Sequence, residues 1–454
     1  MKFPLSDVAA ALGLESPASG VVTGWSIDSR TVQPGDLFFA LRGPNHDGGA
    51  YVASALKSGA IAAVADRPVE GPVFLVPDAL RALQQLAAWA RARWGGDVIG
   101  ITGSAGKTST KDAIADILGS QFPTGRTAGN FNNHVGVPLS ILRMPDDARS
   151  AVIEIGMNHA GEIRDLAAIA KPRIGVVTNV GHAHIENFDS IEGIAAAKRE
   201  LIEALPPDGI AVLNADDPLV ARFADGFPGQ VITFGGTAPY GAATKGSGLT
   251  ILAEDIQLLP DGSRFRVGDT LFETKLAGRH SILNILAGIA VAGIYGIPPA
   301  ELVSAVAILK PGKMRGERLQ SGGILVWNDC YNSNPDAVRT MIDLLRDTPA
   351  RRRIAVLGEM LELGRWSDCL HREVGRYVAH SGIPVLLGIR GDARGMVDAA
   401  VEAGLDRESA YFFEDPGAAG DRLREIAREG DAILFKGSRG THVEEALERF
   451  QAAS

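Results

Sequence analysis

Fifteen residues, Val98–Asp112 (VIGITGSAGKTSTKD), join an apolar run to a glycine turn, a lysine and two adjacent hydroxyls, and Ile114, Ile117 and Leu118 follow at helical spacing. A strand that passes through glycines into a helix commits this part of the chain to an α/β fold built to cradle phosphate. Gly103 and Gly106, with Ser104 and Ala105 between them, let backbone N–H groups turn toward phosphate oxygens. Lys107 can neutralise the outer phosphates, and the Thr108 hydroxyl, followed by Ser109, can hold Mg²⁺. The turn is two residues shorter than G-x-x-x-x-G-K-[ST]. The chain is expected to use a nucleoside triphosphate.

At 454 residues several domains are expected. The net charge is −9 and no basic block carries interleaved aromatics, so nucleic acid is not an expected partner. Arg351–Arg353, the densest basic run, reads as a solvated segment before a strand. No apolar run reaches the length of a membrane span, and the amino-terminal MKFPLSDVAAAL lacks a signal-peptide core, so a cytoplasmic protein is expected. Cys330 and Cys369 are too few for a disulfide framework or a zinc site.

Residues 1–96 read as a small α/β domain, with strands near Leu37–Leu41 and Ala62–Ala65 and a helix over Ala79–Trp94. Over 97–314, apolar strands (VIGIT, AVIEIG, IGVVTNV, GIAVLN) alternate with helices, the pattern of a mostly parallel sheet. Alternation around Pro260–Asp261–Gly262 predicts antiparallel hairpins appended to that sheet, and Gly235–Gly248 reads as a loop. In 315–454, the runs Ile354–Leu357, Val385–Gly388 and Ala432–Phe435 predict a Rossmann-like doubly wound domain whose ligands gather at the carboxyl ends of its strands. No G-x-G-x-x-G is present there, so no dinucleotide site is expected.

Glu154 closes the apolar strand AVIEIG, where a carboxylate can reach a metal beside the triphosphate. His182 and His184 follow the strand IGVVTNV at the same end of the sheet. Lys198 stands on the apolar face defined by Ile191, Ile194, Ala195, Leu201, Ile202 and Leu205. An ammonium there must snorkel, pair with a carboxylate, or lose its proton, and a neutral amine could add CO₂ to give a carbamate that binds a second Mg²⁺.

Together these residues resemble the Mur ligases of bacterial cell-wall synthesis, ATP-dependent amide-bond formers whose short TGxxGKT loop here is Thr102–Thr108. The resemblance implies that Glu154, His184 and a carbamylated Lys198 serve two magnesium ions, and that Lys107, His184 and Lys198 support catalysis. In the first domain, Asp28-Ser29-Arg30, PGDLFFAL at Pro34–Leu41 and Asp47-Gly48 are similar to the family's site for a uridine nucleotide, with Ser29, Arg30 and Asp47 as contacts. NFNNHVGVPLSIL from Asn130, EIGMNHAGEI from Glu154, DCYNSNPDAV from Asp329, VLGEMLELG from Val356 and FKGSRGTHVEE from Phe435 resemble the branch that adds D-alanyl-D-alanine to UDP-N-acetylmuramoyl-tripeptide. On that likeness Asn284 would lie near the adenine, Asp329 would take the ribose and Arg315, with Lys313 as the alternative, would reach the phosphates. Asn130, Asn133, Asn332 and Asn334 would face substrate, while Lys436, Ser438 and Arg439 would hold the dipeptide carboxylate.

Asn332 and Asn334 could equally be turn-formers, and Asn334 before Pro335 is the signature of a helix cap. The chain departs from the family pattern at Gly49, Ser281 and Glu359, where histidine, asparagine and aspartate are usual. What the resemblance implies is a monomeric three-domain ligase that activates the tripeptide carboxylate as an acyl phosphate and closes its second and third domains on ATP. No residue stands out as the general base. The rival readings are a folylpolyglutamate-synthase-like or other amide ligase and a P-loop switch or transport ATPase.

Overall fold

The computed structural model describes residues 1–43, 46–236, 249–259 and 261–452. Residues 237–248 of the expected loop and Pro260 of the expected turn lie outside the described residues. The centre of the molecule is a seven-stranded sheet, all parallel, in the spatial order 124–126, 150–154, 97–102, 174–177, 210–214, 230–235, 250–252. Its strands are apolar on both faces because helices cover both. Ile99, Ile101 and Val152 pack against the helices Lys107–Gly119 and Arg279–Ile294, whereas Val98, Ala151 and Ile153 face Glu162–Ala170 and Ile191–Glu203. The chain enters the sheet at Asp97–Thr102, goes to the edge strand 124–126, fills in 150–154 between them, then crosses to Ile174–Val177 on the other side. The carboxyl end of Asp97–Thr102 is therefore a topological switch point, the place where open α/β sheets bind ligands.

Antiparallel strands do follow, but they are not strands of that sheet. Glu254–Leu259, Gly262–Val267 and Thr270–Thr274 form a separate three-stranded sheet, and only Thr250–Leu252 extends the central one. The reason is its apolar face: Phe265 and Phe272, stacked 5.4 Å apart, join the core of the Arg279–Ile294 helix, so the hairpins pack as a layer.

The amino-terminal region holds a four-stranded parallel sheet (Gly24–Ser26, Asp36–Phe39, Ala62–Ala65, Val73–Leu75) and the helix Ala79–Arg93. Asp78 caps that helix, accepting from the N–H groups of Leu80 and Arg81 at 2.8 and 3.1 Å. The helix's buried Leu83 and Leu86 share one core with Leu139 and Leu166 of the central region. In the carboxyl-terminal region six strands lie in the order 317–321, 324–329, 431–436, 352–358, 385–389, 410–413, parallel except for the first. Asn334 caps the helix Pro335–Asp347 through Ala337 N–H at 2.9 Å, with proline at its first turn.

Arg351–Arg353 is not a solvated run. Arg352 pairs with buried Asp431 at 2.6 Å, and Arg353 donates to the carbonyls of Leu345 and Thr348, so two of the three guanidiniums tie the strand to its neighbours. Among the described residues no helix is long and apolar enough to cross a membrane.

Candidate active site

The glycine turn is sutured to the next strand end. Thr178 Oγ1 donates to the Ala105 carbonyl at 2.7 Å, and the Asn179 amide accepts from Ala105 N–H at 2.8 Å and donates to its carbonyl at 3.0 Å. Ser104 Oγ donates to the Gly181 carbonyl at 2.9 Å and accepts from Gly181 N–H at 2.8 Å. Gly103 must be glycine because its φ is 151° and a Cβ there would fall 1.8 Å from Thr178 Oγ1. Gly106, at φ 78°, hands the chain into the Lys107–Gly119 helix, whose first N–H groups are free for an anion. Lys107 Nζ donates to the Gly103 carbonyl at 2.7 Å. Burial pulls the Lys107 ammonium below the usual lysine pKa, with Glu154 as the opposing charge.

Glu154 ends its strand beside that turn, 1% exposed. One carboxylate oxygen accepts from Thr108 Oγ1 at 2.8 Å and the other from Asn132 Nδ2 at 2.8 Å. Lys198, in the helix Ile191–Glu203, is 1% exposed, so it does not snorkel. Among the described residues its Nζ has no hydrogen bond or ion pair. Burial, with the positive charge of Lys107 adding to it, drives its pKa well below the usual lysine value.

The two histidines both meet carboxylates of the carboxyl-terminal region. His182 Nδ1 lies 2.9 Å from Asp336 Oδ2, which also accepts from His182 N–H at 2.7 Å, and this hydrogen bond raises the imidazole pKa. His184 Nδ1 lies 2.7 Å from Glu362 Oε2. Neither carboxylate carried a role in the sequence reading, although both sit inside motif strings quoted there.

Lys107, Glu154, His184 and Glu362 line a cavity of about 430 Å³ between the central and carboxyl-terminal regions, whereas Lys198, His182 and Asp336 do not. Of the expected site residues, Ser104 to Ser109, Asn130, Asn133, Glu154, His184, Asn284, Arg315, Asp329, Asn332, Asn334 and Lys436 face it. Asn284 Oδ1 accepts from Thr110 Oγ1 at 2.9 Å, and the Arg315 guanidinium stacks 3.8 Å from the Tyr331 ring centre. Lys436 Nζ is held by Asp329 at 2.5 Å and by the Asn332 carbonyl at 2.9 Å. Asn133 uses its side-chain oxygen on Val135 and Gly136 N–H, ahead of the helix Gly136–Leu142. A second cavity of about 420 Å³ shares Ser109, His280, Asn284 and Arg315 with the first. His280, half-buried between them, was not singled out in the sequence; desolvation lowers its pKa.

Seven expected residues do not line this cavity; two of them, Gly103 and Lys198, are buried within the central region. Ser29, Arg30 and Asp47 belong to the amino-terminal region, where Arg30 pairs with Asp28 at 2.7 Å and Asp47 with Arg67 at 2.5 Å. Ser438 Oγ is occupied by Leu361 N–H at 2.9 Å and the Ser333 carbonyl at 3.3 Å, and Arg439 pairs with Glu444 at 2.5 Å.

The donor set fits magnesium delivered with a nucleotide. Among the described residues no three His, Cys, Asp or Glu side chains converge as a metal cage. Mg²⁺ typically takes one or two carboxylates and completes its shell with phosphate and water, and Glu154 and Thr108 offer hard oxygens beside the phosphate turn.

Comparison with known proteins gives a consistent likeness. Residues 21–89 match the model of the Mur ligase family catalytic domain, 101–292 the Mur ligase middle domain, and 314–439 the Mur ligase glutamate ligase domain. The UDP-N-acetylmuramoyl-tripeptide–D-alanyl-D-alanine ligase of Bacillus subtilis is 34% identical over 440 residues, covering 94% of this chain and 93% of that protein. The crystal structure of MurF from Acinetobacter baumannii matches with a TM-score of 0.88 at 27% identity, over 100% of this chain and 99% of that one. MurF from Thermotoga maritima, solved with ADP, matches at 0.82 and 29% identity, over 95% of this chain and 97% of that one.

Proposed function

The chain belongs to the Mur ligase family, and on that premise we propose that it is an ATP-dependent ligase joining D-alanyl-D-alanine to UDP-N-acetylmuramoyl-tripeptide. The observation that carries this reading is the convergence, at one cavity, of the phosphate turn, Glu154 and cationic groups of the carboxyl-terminal region. Full-length similarity to tripeptide–dipeptide ligases favours the muramoyl substrate over a folate-type one, and similarity to amide-forming ligases also disfavours a switch or transport ATPase.

A carboxylate does not accept an amine directly, because oxide is a poor leaving group. In the proposed sequence a carboxylate oxygen of the tripeptide attacks the γ-phosphorus and the bond to the β–γ bridging oxygen breaks, giving ADP and an acyl phosphate. The dipeptide amine then forms the C–N bond, its nitrogen releases one proton, and phosphate leaves with the electron pair of the C–O bond. Lys107, the N–H groups of the turn and Arg315 would stabilise the charge on the transferring phosphoryl group, and in-line placement would supply much of the rate. Magnesium, held by Thr108, Glu154, His184 and a carbamylated Lys198, would neutralise phosphate charge. Asp329 would take the ribose, and the cavity beyond Asn284 and His280 would receive the adenine. An ammonium has three donors, and among the described residues Lys436 uses two, on Asp329 and Asn332, leaving a third for the dipeptide carboxylate. Asn130, Asn133, Asn332 and Asn334 would border the acceptor, and Ser438 and Arg439 would frame the dipeptide end.

In this reading residues 1–96 bind the uridine nucleotide through Ser29, Arg30 and Asp47, 97–314 bind ATP, and 315–454 bring the dipeptide. The cavity is built from one chain, so a monomer suffices, and the reaction belongs in the cytoplasm, where ATP is supplied. Hydroxylamine with ATP and tripeptide precursor, without dipeptide, is expected to trap a tripeptide hydroxamate. The absence of both hydroxamate and positional isotope exchange in ATP would reject the acyl phosphate.

A further inference from the structure

Two loops, one after the strand Ile174–Val177 and one after Arg352–Gly358, meet across the seam between the central and carboxyl-terminal regions. Each brings a non-glycine residue in the left-handed conformation to the meeting point: His184 at φ 62° and Glu362 at φ 64°. Such backbone is uncommon for a residue with a Cβ and persists where the surroundings enforce it, often at functional sites. The two side chains touch, Nδ1 to Oε2, at 2.7 Å. Around them Glu186 N–H donates to the Glu362 carbonyl at 3.2 Å, and Arg365 pairs with Asp189 at 2.7 Å.

We propose that Glu362 is a positioning residue that fixes the tautomer and orientation of His184; this rests on the reading of His184 as a ligand of nucleotide-bound magnesium. A carboxylate only accepts, so Nδ1 carries the proton of the contact and the lone pair of the neutral ring is on Nε2, the nitrogen left for a metal. Carboxylate–histidine–metal relays of this kind raise ligand basicity and lock the ring. Here the carboxylate comes from the other side of the seam. The metal-binding set of the central region is therefore complete only when the carboxyl-terminal region is docked, and docking brings Arg315 and Asp329 to the same nucleotide.

The test uses Mn²⁺ in place of Mg²⁺, titrated into the full chain with ADP and followed by the paramagnetic resonance of the free ion. Glu362→Gly removes the carboxylate while accepting φ 64° without strain. It is expected to weaken Mn²⁺ binding about tenfold or more. Glu362→Gln, whose amide oxygen accepts the same hydrogen bond, is expected to stay within about threefold of the parent. His184→Ala should match Glu362→Gly, and the double variant should be no worse than His184→Ala by more than about twofold. Arg365→Ala, which breaks the neighbouring pair alone, should leave Mn²⁺ affinity within about twofold. Normal Mn²⁺ binding by Glu362→Gly while His184→Ala loses it, or losses that multiply in the double variant, overturns the positioning role. Normal binding by His184→Ala removes the metal reading of that histidine, and the role of Glu362 falls with it. Metal-free ADP affinity and melting temperature verify that each variant is folded.

Discussion

Lys198→Ala is expected to lower kcat about a thousandfold, with acetate or formate restoring part of the loss. An unpaired ammonium buried this deeply is the least favourable state of a lysine, and the side chain is 1% exposed with Lys107 as a further positive neighbour. The neutral amine that burial favours is the form that adds CO₂: the N–C bond forms, one proton is released and a carbamate anion results. That anion would turn an electrostatically awkward residue into an oxygen ligand. Alanine is the best helix former and removes a buried amine that has no partner among the described residues, so the variant should fold and bind nucleotide. A small carboxylic acid in the space left behind would supply the missing anion. Full activity of Lys198→Ala would end the carbamate reading, and loss of activity with no rescue by any short acid would point to packing instead.

Lys107→Ala should cost at least about a thousandfold in kcat, with little change in KM for the dipeptide. Its ammonium is within the phosphate turn, and burial makes each opposite charge that reaches it count for more than it would in water. Lys107→Arg is not expected to rescue, because Nζ sits 2.7 Å from the Gly103 carbonyl and a planar guanidinium does not fit the turn closed around it. Retention of a tenth or more of the activity by the alanine variant would show that the outer phosphate charge is met elsewhere.

The central sheet was legible because parallel strands covered on both faces must be apolar throughout, which is how VIGIT, AVIEIG, IGVVTNV and GIAVLN read. Lys198 was legible for the opposite reason, as one charge on a face of aliphatic side chains. In the carboxyl-terminal region the runs at 354–357, 385–388 and 432–435 were found, but the covered strand Ile324–Asp329 was not. Neither edge strand was found: Glu317–Ser321 (ERLQS) exposes polar positions, and Ala410–Phe413 (AYFF) is only four residues long. The three-stranded sheet was seen as hairpins but misplaced, because alternation reports that one face is buried and not what it is buried against. Least legible were the partners of the two histidines. Asp336 lies 154 residues from His182 in sequence, and no local periodicity connects a loop of one region to a helix start of another. The suture of Thr178 and Asn179 to the phosphate turn was hidden for the same reason: strand order, which is a property of the whole sheet, puts them side by side.

The most direct measurement combines the purified chain with MgATP, UDP-N-acetylmuramoyl-tripeptide and D-alanyl-D-alanine, and follows nucleotide and peptide products by mass spectrometry. The expected result is ADP, phosphate and UDP-N-acetylmuramoyl-pentapeptide in equal amounts, with no pentapeptide when any one substrate is withheld. ATP hydrolysis without pentapeptide, or ligation of a different acid and amine in preference to these, would contradict the account.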